Sequence, residues 1–383
     1  TWDRLVNYNF DTYLEYSNTF QDSHNLSGTG GMQLQSSSTN GADVTGEVFP
    51  NDSFTQLNSA AEFTSAGGYE TNYRFLAFFG RASYDYKGRY FLETTARYEG
   101  SSRFGSDSRY GFFPSVSAGW VPSEESFFPE SDVLSYLKLR GSFGITGNAG
   151  ISNFASRGLF DASSYAGNSG LNSSQTPNPS LQWEQTQEFN FGVDYEFFDR
   201  RISGNVDYYR KTTNDLLLNV NVPSTTGFLV QTRNVGKVRN WGMEFLLETQ
   251  NITQDDFRWS SSFNISFNRN EAVDLSDQVI TGGFINQARE GEPIGVFYGL
   301  EYAGVDPEDG DALFYVNEKN ENGEVIDSET TTDNAGEANR VVIGNPNPDF
   351  IGGLSNTVEY KGFQLRTLFS FDYGSEIFGG CDE

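Results

Sequence analysis

Sulfur and imidazole are nearly missing from this chain: 383 residues hold one cysteine, Cys381, one histidine, His24, and two methionines. A disulfide framework or a thiolate metal site within the chain is thereby excluded, and Ser-His-Asp, Cys-His or multi-histidine zinc arrangements cannot be assembled. Basic charge is scarce too. The 25 Lys and Arg stand against 52 Asp and Glu, a net charge of −27, which argues against a nucleic-acid partner because phosphate binding needs clustered cations. No window approaches the roughly 18 uninterrupted apolar residues of a membrane helix. That leaves β-strand spans open, since their signal is far weaker. No signal peptide precedes Thr1-Trp-Asp-Arg4, so the expectation is that processing or truncation removed the start.

What the chain does have is aromatics and glycine. Phe (34) and Tyr (20) lift the aromatic share to 15%, and there are 41 Gly, while the hydrophobic total is 36% and the mean hydropathy −0.52. Many aromatics with few aliphatics suit a barrel whose outer face meets lipid through aromatic girdles. The stretch Asp85–Trp120 shows the pattern. Tyr90, Leu92, Ala96 and Tyr98 share one face of a period-2 strand, and Arg89, Glu93, Thr95, Arg97 and Glu99 the other. Tyr110, Phe112, Val116, Ala118 and Trp120 then oppose Gly111, Ser115, Ser117 and Gly119.

The same alternation recurs along the chain. It predicts hairpins over 5–34, 72–100 and 354–373, and strands at 109–120, 136–148, 189–197, from 202, around 243–247 and 259–267, with weaker ones at 294–303 and 312–316. Short connections at 18–24, 87–88, 199–200, 254–256 and 361–362 alternate with long ones at 36–70, 149–182, 269–292 and 318–349. Bacterial outer-membrane barrels alternate in this way, with short periplasmic turns and long extracellular loops. The fold class is therefore all-β, an antiparallel transmembrane β-barrel, with residues 1–383 forming one partial barrel of about fourteen strands. An open sheet of that length would expose two edges to lipid, which points to part of a larger barrel. A soluble sandwich or solenoid is the competing architecture.

Particular runs then carry a resemblance. Tyr84-Asp-Tyr-Lys-Gly-Arg-Tyr90, Gly100-Ser-Ser-Arg-Phe104, Arg109-Tyr-Gly-Phe-Phe-Pro-Ser-Val-Ser-Ala-Gly-Trp120, Leu137-Lys-Leu-Arg140, Gly144-Ile-Thr-Gly-Asn148, Asn234-Val-Gly236 and Gly344-Asn-Pro-Asn-Pro-Asp349 resemble SusC-like (SusC/RagA) TonB-dependent transporters of the Bacteroidetes outer membrane. The likeness spans about residues 70 to 373. It implies a barrel of about 22 strands with a plug in the lumen, energised by the TonB complex through an N-terminal region that this chain does not contain. It also implies a SusD-like surface lipoprotein acting as a lid. Such pairs import oligosaccharides, and some relatives import peptides. The plug and the first and last strands are expected to lie outside the chain.

Candidate sites follow from residue type and place. Trp120, Trp183, Trp241 and Trp259 suit the membrane interface, where indole rings prefer the headgroup level; the alternative is that some face the lumen or loops. Arg89, Glu93, Arg97, Arg140, Asp194, Glu196, Glu244 and Glu248 fall on the wet face, to hydrate the wall or touch plug and solute. Glu318, Asn320, Asn322 and Glu329, with Gly323 at the sixth place, have the oxygen spacing of an EF-type calcium loop. Position one is Glu rather than Asp, and flanking helices are lacking, so a solvated acidic loop competes with calcium; no cofactor is required. Asp306–Asp311 reads as a periplasmic turn. Phe104, Phe154, Phe160, Tyr165, Phe228 and Phe284 are loop aromatics available for sugar stacking, and the substrate-binding set is not readable.

The functional expectation is active import of an oligosaccharide or oligopeptide, with outer-membrane lipid, a SusD-like lid and TonB as partners. One alternative is a non-transport scaffold or assembly subunit on the same barrel. Another is a soluble β-rich adhesin or glycan-binding module. No paired-carboxylate or nucleophile constellation stands out, so an enzyme is disfavoured.

Overall fold

The structure is a computed structural model describing residues 1–129, 131–276, 278–283, 285–320 and 323–379. The strands, in chain order, are β1 (Trp2–Phe20), β2 (His24–Glu47), β3 (Glu62–Tyr86), β4 (Tyr90–Ser101), β5 (Tyr110–Trp120), β6 (Leu134–Asn148), β7 (Leu159–Tyr165), β8 (Asn168–Gln175), β9 (Glu184–Phe197), β10 (Ile202–Asn214), β11 (Leu217–Asn221), β12 (Val230–Asn234), β13 (Lys237–Thr253), β14 (Phe257–Asp274), nine short strands β15 to β23 between Ile280 and Gly344, β24 (Phe350–Tyr360) and β25 (Phe363–Tyr373). There is no α-helix among the described residues. Twelve strands form one sheet in the order β1-β2-β3-β4-β5-β6-β9-β10-β13-β14-β24-β25. Each thus pairs with its nearest sheet neighbours along the chain. Contacts gather the chain into two compact units, Thr1–Ala118 with Phe143–Thr186 and Asp215–Asn234, and Gly119–Ser142 with Gln187–Asn214 and Val235–Glu383.

In the first unit the registers of β1 to β4 keep parity across the sheet. Thr12, Met32, Phe78 and Tyr98 lie in one row, and Phe20, His24, Tyr86 and Tyr90 in another, on the same face. The rows on either side of the first, on the opposite face, carry Asp11, Gln33, Ala77 and Glu99, and Tyr13, Gly31, Phe79 and Arg97. Solvent exposure is inverted relative to a water-soluble sheet. Tyr90, Leu92 and Tyr98 are 44%, 49% and 47% exposed, whereas Phe91, Glu93, Arg97 and Glu99 are half-buried. Charged groups on that inner face are paired: Arg81 Nη2 lies 2.6 Å from Glu93, and Arg97 Nε 2.6 Å from Glu99. An apolar face left open beside a polar face that is satisfied internally is what lipid outside and water inside demand.

The aromatic rows also fall at two levels. Tyr86 and Tyr90 lie 6.2 Å apart beside the turn, and Tyr98 stacks on Tyr110 at 5.1 Å at the other end of β4. From Tyr90 to Tyr98 the strand runs about 26 Å at ~3.3 Å per residue, which at the usual tilt of about 40° rises roughly 20 Å, within the ~25 Å apolar band of such barrels.

The second unit repeats the arrangement. Val206, Phe245, Ile265, Gly352 and Phe371 form one row. On the other face Ser203, Glu248, Ser262, Ser355 and Leu368 form a row, and Asn205, Leu246, Asn264, Gly353 and Ser370 the next. The short connections Lys87-Gly88 and Lys361-Gly362 have positive φ at both residues, +56° with +67° and +48° with +88°. In Lys361-Gly362, between the paired Tyr360 and Phe363, that is the mirror-image turn of a two-residue hairpin with Gly at the second place, whereas Lys87-Gly88 sits in a three-residue connection because Tyr86 pairs with Tyr90.

Several expectations require correction. Residues 36–47 and 62–70 are strand, not loop, pairing as far as Glu47 with Glu62; Ser, Thr and Asn serve there because both faces are wet. The 149–182 connection contains the β7–β8 hairpin. The strands expected at 294–303 and 312–316 are short pieces of the long β14–β24 connection, leaving twelve strands in the sheet. Asp306–Asp311 therefore joins β18 (Tyr302–Val305) to β19 (Ala312–Tyr315) inside that connection, at the sheet end opposite the short turns, and is not a periplasmic turn.

Replacing an outward mid-strand residue, Ala96→Arg, should destabilise the protein refolded in phospholipid by about 2–4 kcal/mol. Ser83→Arg, on the inner face opposite Glu93, should have a much smaller effect, both read from denaturant unfolding in vesicles.

Candidate functional site

Two polar regions are built by the sheet and its long connections, one in each unit. In the first unit the connections rest on a small buried cluster of Phe104, Phe113, Ala155, Leu181 and Trp183, with Phe75, Ile145 and Leu217 packed against it. Trp183 is 4% exposed, its ring 4.9 Å from Phe104 and 5.2 Å from Phe113, and its Nε1 donates to the Arg109 carbonyl at 3.0 Å. Arg103 locks the neighbouring loop. Its Nε donates to Asn153 Oδ1 and its Nη1 to the Ala149 carbonyl, both at 2.9 Å, and its guanidinium lies 4.1 Å from the Tyr73 ring centroid. Burial lowers its pKa from the ordinary arginine value, yet it stays cationic. Asn234 ties the last loop in, its Oδ1 accepting from the Gln182 N–H and its Nδ2 donating to the Gln182 and Asp215 carbonyls.

In the second unit the inner face is a wall of small polar groups. A depression of about 440 Å³ is lined by Ser203, Glu248, Ser262, Ser355 and Arg366, among others. Nearer the long connections lies a second, about 480 Å³, with Glu188, Tyr209, Lys211 and Glu244 in its lining. Arg140 fastens three strands of this wall, donating to Asp194 at 3.0 Å and to Asp207 at 2.7 Å. Glu196 pairs with Arg200 at 2.9 Å at the β9–β10 turn.

The expected site residues are thus distributed rather than gathered. Trp183 is not an interface residue: it fills the loop-side core because the chain turns it inward on Phe104 and Phe113. Trp120 is half-buried beside the β5–β6 connection, donating to Glu125 at 3.2 Å. Trp241 and Trp259 have the parity of the outward face, and Trp259 is 38% exposed and donates to Asn356 at 3.1 Å. Of the loop aromatics, Phe104 is sealed in the cluster while Phe160 and Tyr165 are 65% and 86% exposed on β7. Phe284 lies outside the described residues, as does Asn322.

Around the proposed calcium loop, Glu318 and Lys319 are extended and paired with Val325–Asp327. Asn320 Oδ1 accepts from the Glu324 N–H and its Nδ2 donates to Glu324 Oε2 at 2.7 Å. Asp327, at the end of the strand pair, takes the Glu329 and Thr330 N–H groups and the Thr330 hydroxyl. The Glu329 N–H, then the Thr330 hydroxyl, hold its carboxyl below the usual range. This is a hairpin, whereas an EF-type loop curls its first five residues around the ion. Among the described residues no three His, Cys, Asp or Glu side chains gather as a metal group.

An antiparallel sheet with an aromatic apolar face outward, a hydrated face inward and short turns opposite long connections defines the wall of an outer-membrane β-barrel. The chain belongs to the TonB-dependent receptor family: the family described as "TonB dependent receptor-like, beta-barrel" matches residues 2–294. It is 33% identical to a TonB-dependent receptor of Formosa agariphila over 97% of the chain and 40% of that protein. It is also 33% identical to the TonB-dependent receptor SusC of Bacteroides thetaiotaomicron, over 85% of the chain and 33% of SusC. Among solved structures it is similar to the RagAB peptide transporter, with TM-score 0.86 and 29% identity over 97% of the chain and 42% of that one. The chain thus spans about two fifths of the length of such relatives, a portion of an outer-membrane barrel.

Trp183→Ala should cost about 3–5 kcal/mol locally. Hydrogen exchange should quicken at amides 102–109 and 149–158 while β24 and β25 keep their protection. Calorimetry of the whole protein with calcium should give no saturable heat, given the Asn320–Glu324 pairing; heat abolished by Glu329→Ala would place calcium on the hairpin.

Proposed function

We propose that the protein is the barrel portion of a TonB-dependent importer of a nutrient oligomer, working with a SusD-like lipoprotein lid and the TonB complex, and that the cargo is an oligosaccharide. The likeness to SusC over most of the chain carries this reading. The wall chemistry supports it: Ser203, Ser262, Ser355, Asn205 and Asn264 in successive inward rows offer hydroxyls and amides to a hydroxyl-rich solute without a strongly apolar grip. A peptide cargo is the second reading, favoured by the likeness to the RagAB peptide transporter.

Uptake by cells producing the whole protein separates these. A labelled neutral oligosaccharide should accumulate, and removing tonB should reduce accumulation to that of cells lacking the receptor. Accumulation of labelled oligopeptides alone would select the second reading. TonB-independent levels for both cargoes would leave the barrel a scaffold.

A further inference from the structure

We propose that the inner face of β9, β10, β13 and β14 carries a binding subsite for one uncharged pyranose ring, with the Tyr209 side chain as its floor. This deepens the oligosaccharide reading and rests on it. Tyr209, Gly242 and Asn268 stand in one row across three strands. The tyrosine lies across the glycine and donates its hydroxyl to Asn268 Oδ1 at 2.5 Å, which fixes both ends of the ring. Gly242 is what permits this. A Cβ there would come within 2.8 Å of the Tyr209 hydroxyl and collide with the Phe267 carbonyl. The result is a flat aromatic surface held against the wall, half-buried, in a depression of about 480 Å³.

The rim has the chemistry of a sugar site. Asn190 and Asn240 each present an amide that can donate and accept, and Glu188 and Glu244 accept hydroxyl hydrogens. Lys211 lies 3.4 Å from Glu188 and 5.5 Å from the Tyr209 ring centroid. The ring face thus already receives positive charge. The C–H face of a pyranose, also weakly positive, would be attracted to the same ring. One carboxylate, Glu244, has no ion-pair partner among the described residues. The site therefore carries an excess negative charge that repels uronate or sulfate groups.

The test is titration calorimetry of the full-length receptor in detergent with malto-, xylo-, manno- and laminarihexaose, hexagalacturonate and a pooled oligopeptide library. At least one neutral hexasaccharide should bind. Tyr209→Ala should weaken it roughly tenfold, and Tyr209→Phe, which keeps the ring, by no more than about threefold. Glu244→Gln, which leaves the packing alone, should weaken it by more than about threefold, and hexagalacturonate should not bind. Heat-dependent gel migration checks that each variant is a folded barrel. Neutral binding unchanged by Tyr209→Ala, or by Glu244→Gln should the alanine variant not fold, overturns the subsite and leaves oligosaccharide import standing. Binding of peptides alone, or of hexagalacturonate in preference to neutral sugars, overturns the subsite, and the peptide result overturns the oligosaccharide reading with it.

Discussion

Every backbone N–H and C=O that crosses lipid must find its partner inside the protein, and in a strand that partner can only be the next strand. The sheet meets this requirement by pairing strands in chain order, with ladders such as Tyr86–Phe75 against Tyr90–Ser101 unbroken along their length. Once the ladder is continuous, side chains have no freedom to choose a face, because parity is fixed by register. A single-residue slip between β3 and β4 would turn Arg97 and Glu99 toward lipid and Tyr98 toward water. The alternation of Tyr, Leu and Phe with Glu, Arg and Ser is therefore a constraint on the whole sheet and not a property of single strands.

The same constraint explains what could be read from residues alone. The outward set at Tyr90, Leu92 and Tyr98 and the positive-φ turns at Lys87-Gly88 and Lys361-Gly362 lie in local patterns, and the structure reproduces them. Where strands leave the apolar band the pattern fades. Ser36–Glu47 is as regularly paired as the spanning part, yet its Ser, Thr and Asn residues face water on both sides and resemble a loop. The β7–β8 hairpin was hidden likewise by its Ser, Asn and Gly. The burial of Trp183 depends on Phe104 and Phe113, about 80 and 70 residues earlier in the sequence, so no local pattern separates it from an interfacial tryptophan. Tyr209 and Asn268 meet across 59 positions through the register of β13. The one signal in sequence is the glycine at 242 amid bulky strand residues, which marks close approach by a neighbour.

The two polar regions differ in how firmly they are held. The loop-side connections of the first unit are fastened by a dry aromatic cluster and by an arginine engaged on three sides. Energy there goes into shape. The inner wall of the second unit has few large side chains, and its charges are mostly spent on one another, as Arg140 is on Asp194 and Asp207. A wall of serines and asparagines gives a passing solute many weak hydrogen bonds in exchange for those it makes with water, a trade of little net free energy. Passage requires binding favourable enough to enter yet weak enough to leave. On such a wall, the subsite proposed at Tyr209 would make one position preferred. Since Tyr209 lies on the wall itself, in the register of β10 and β13, the proposed subsite does not depend on the position of any long connection.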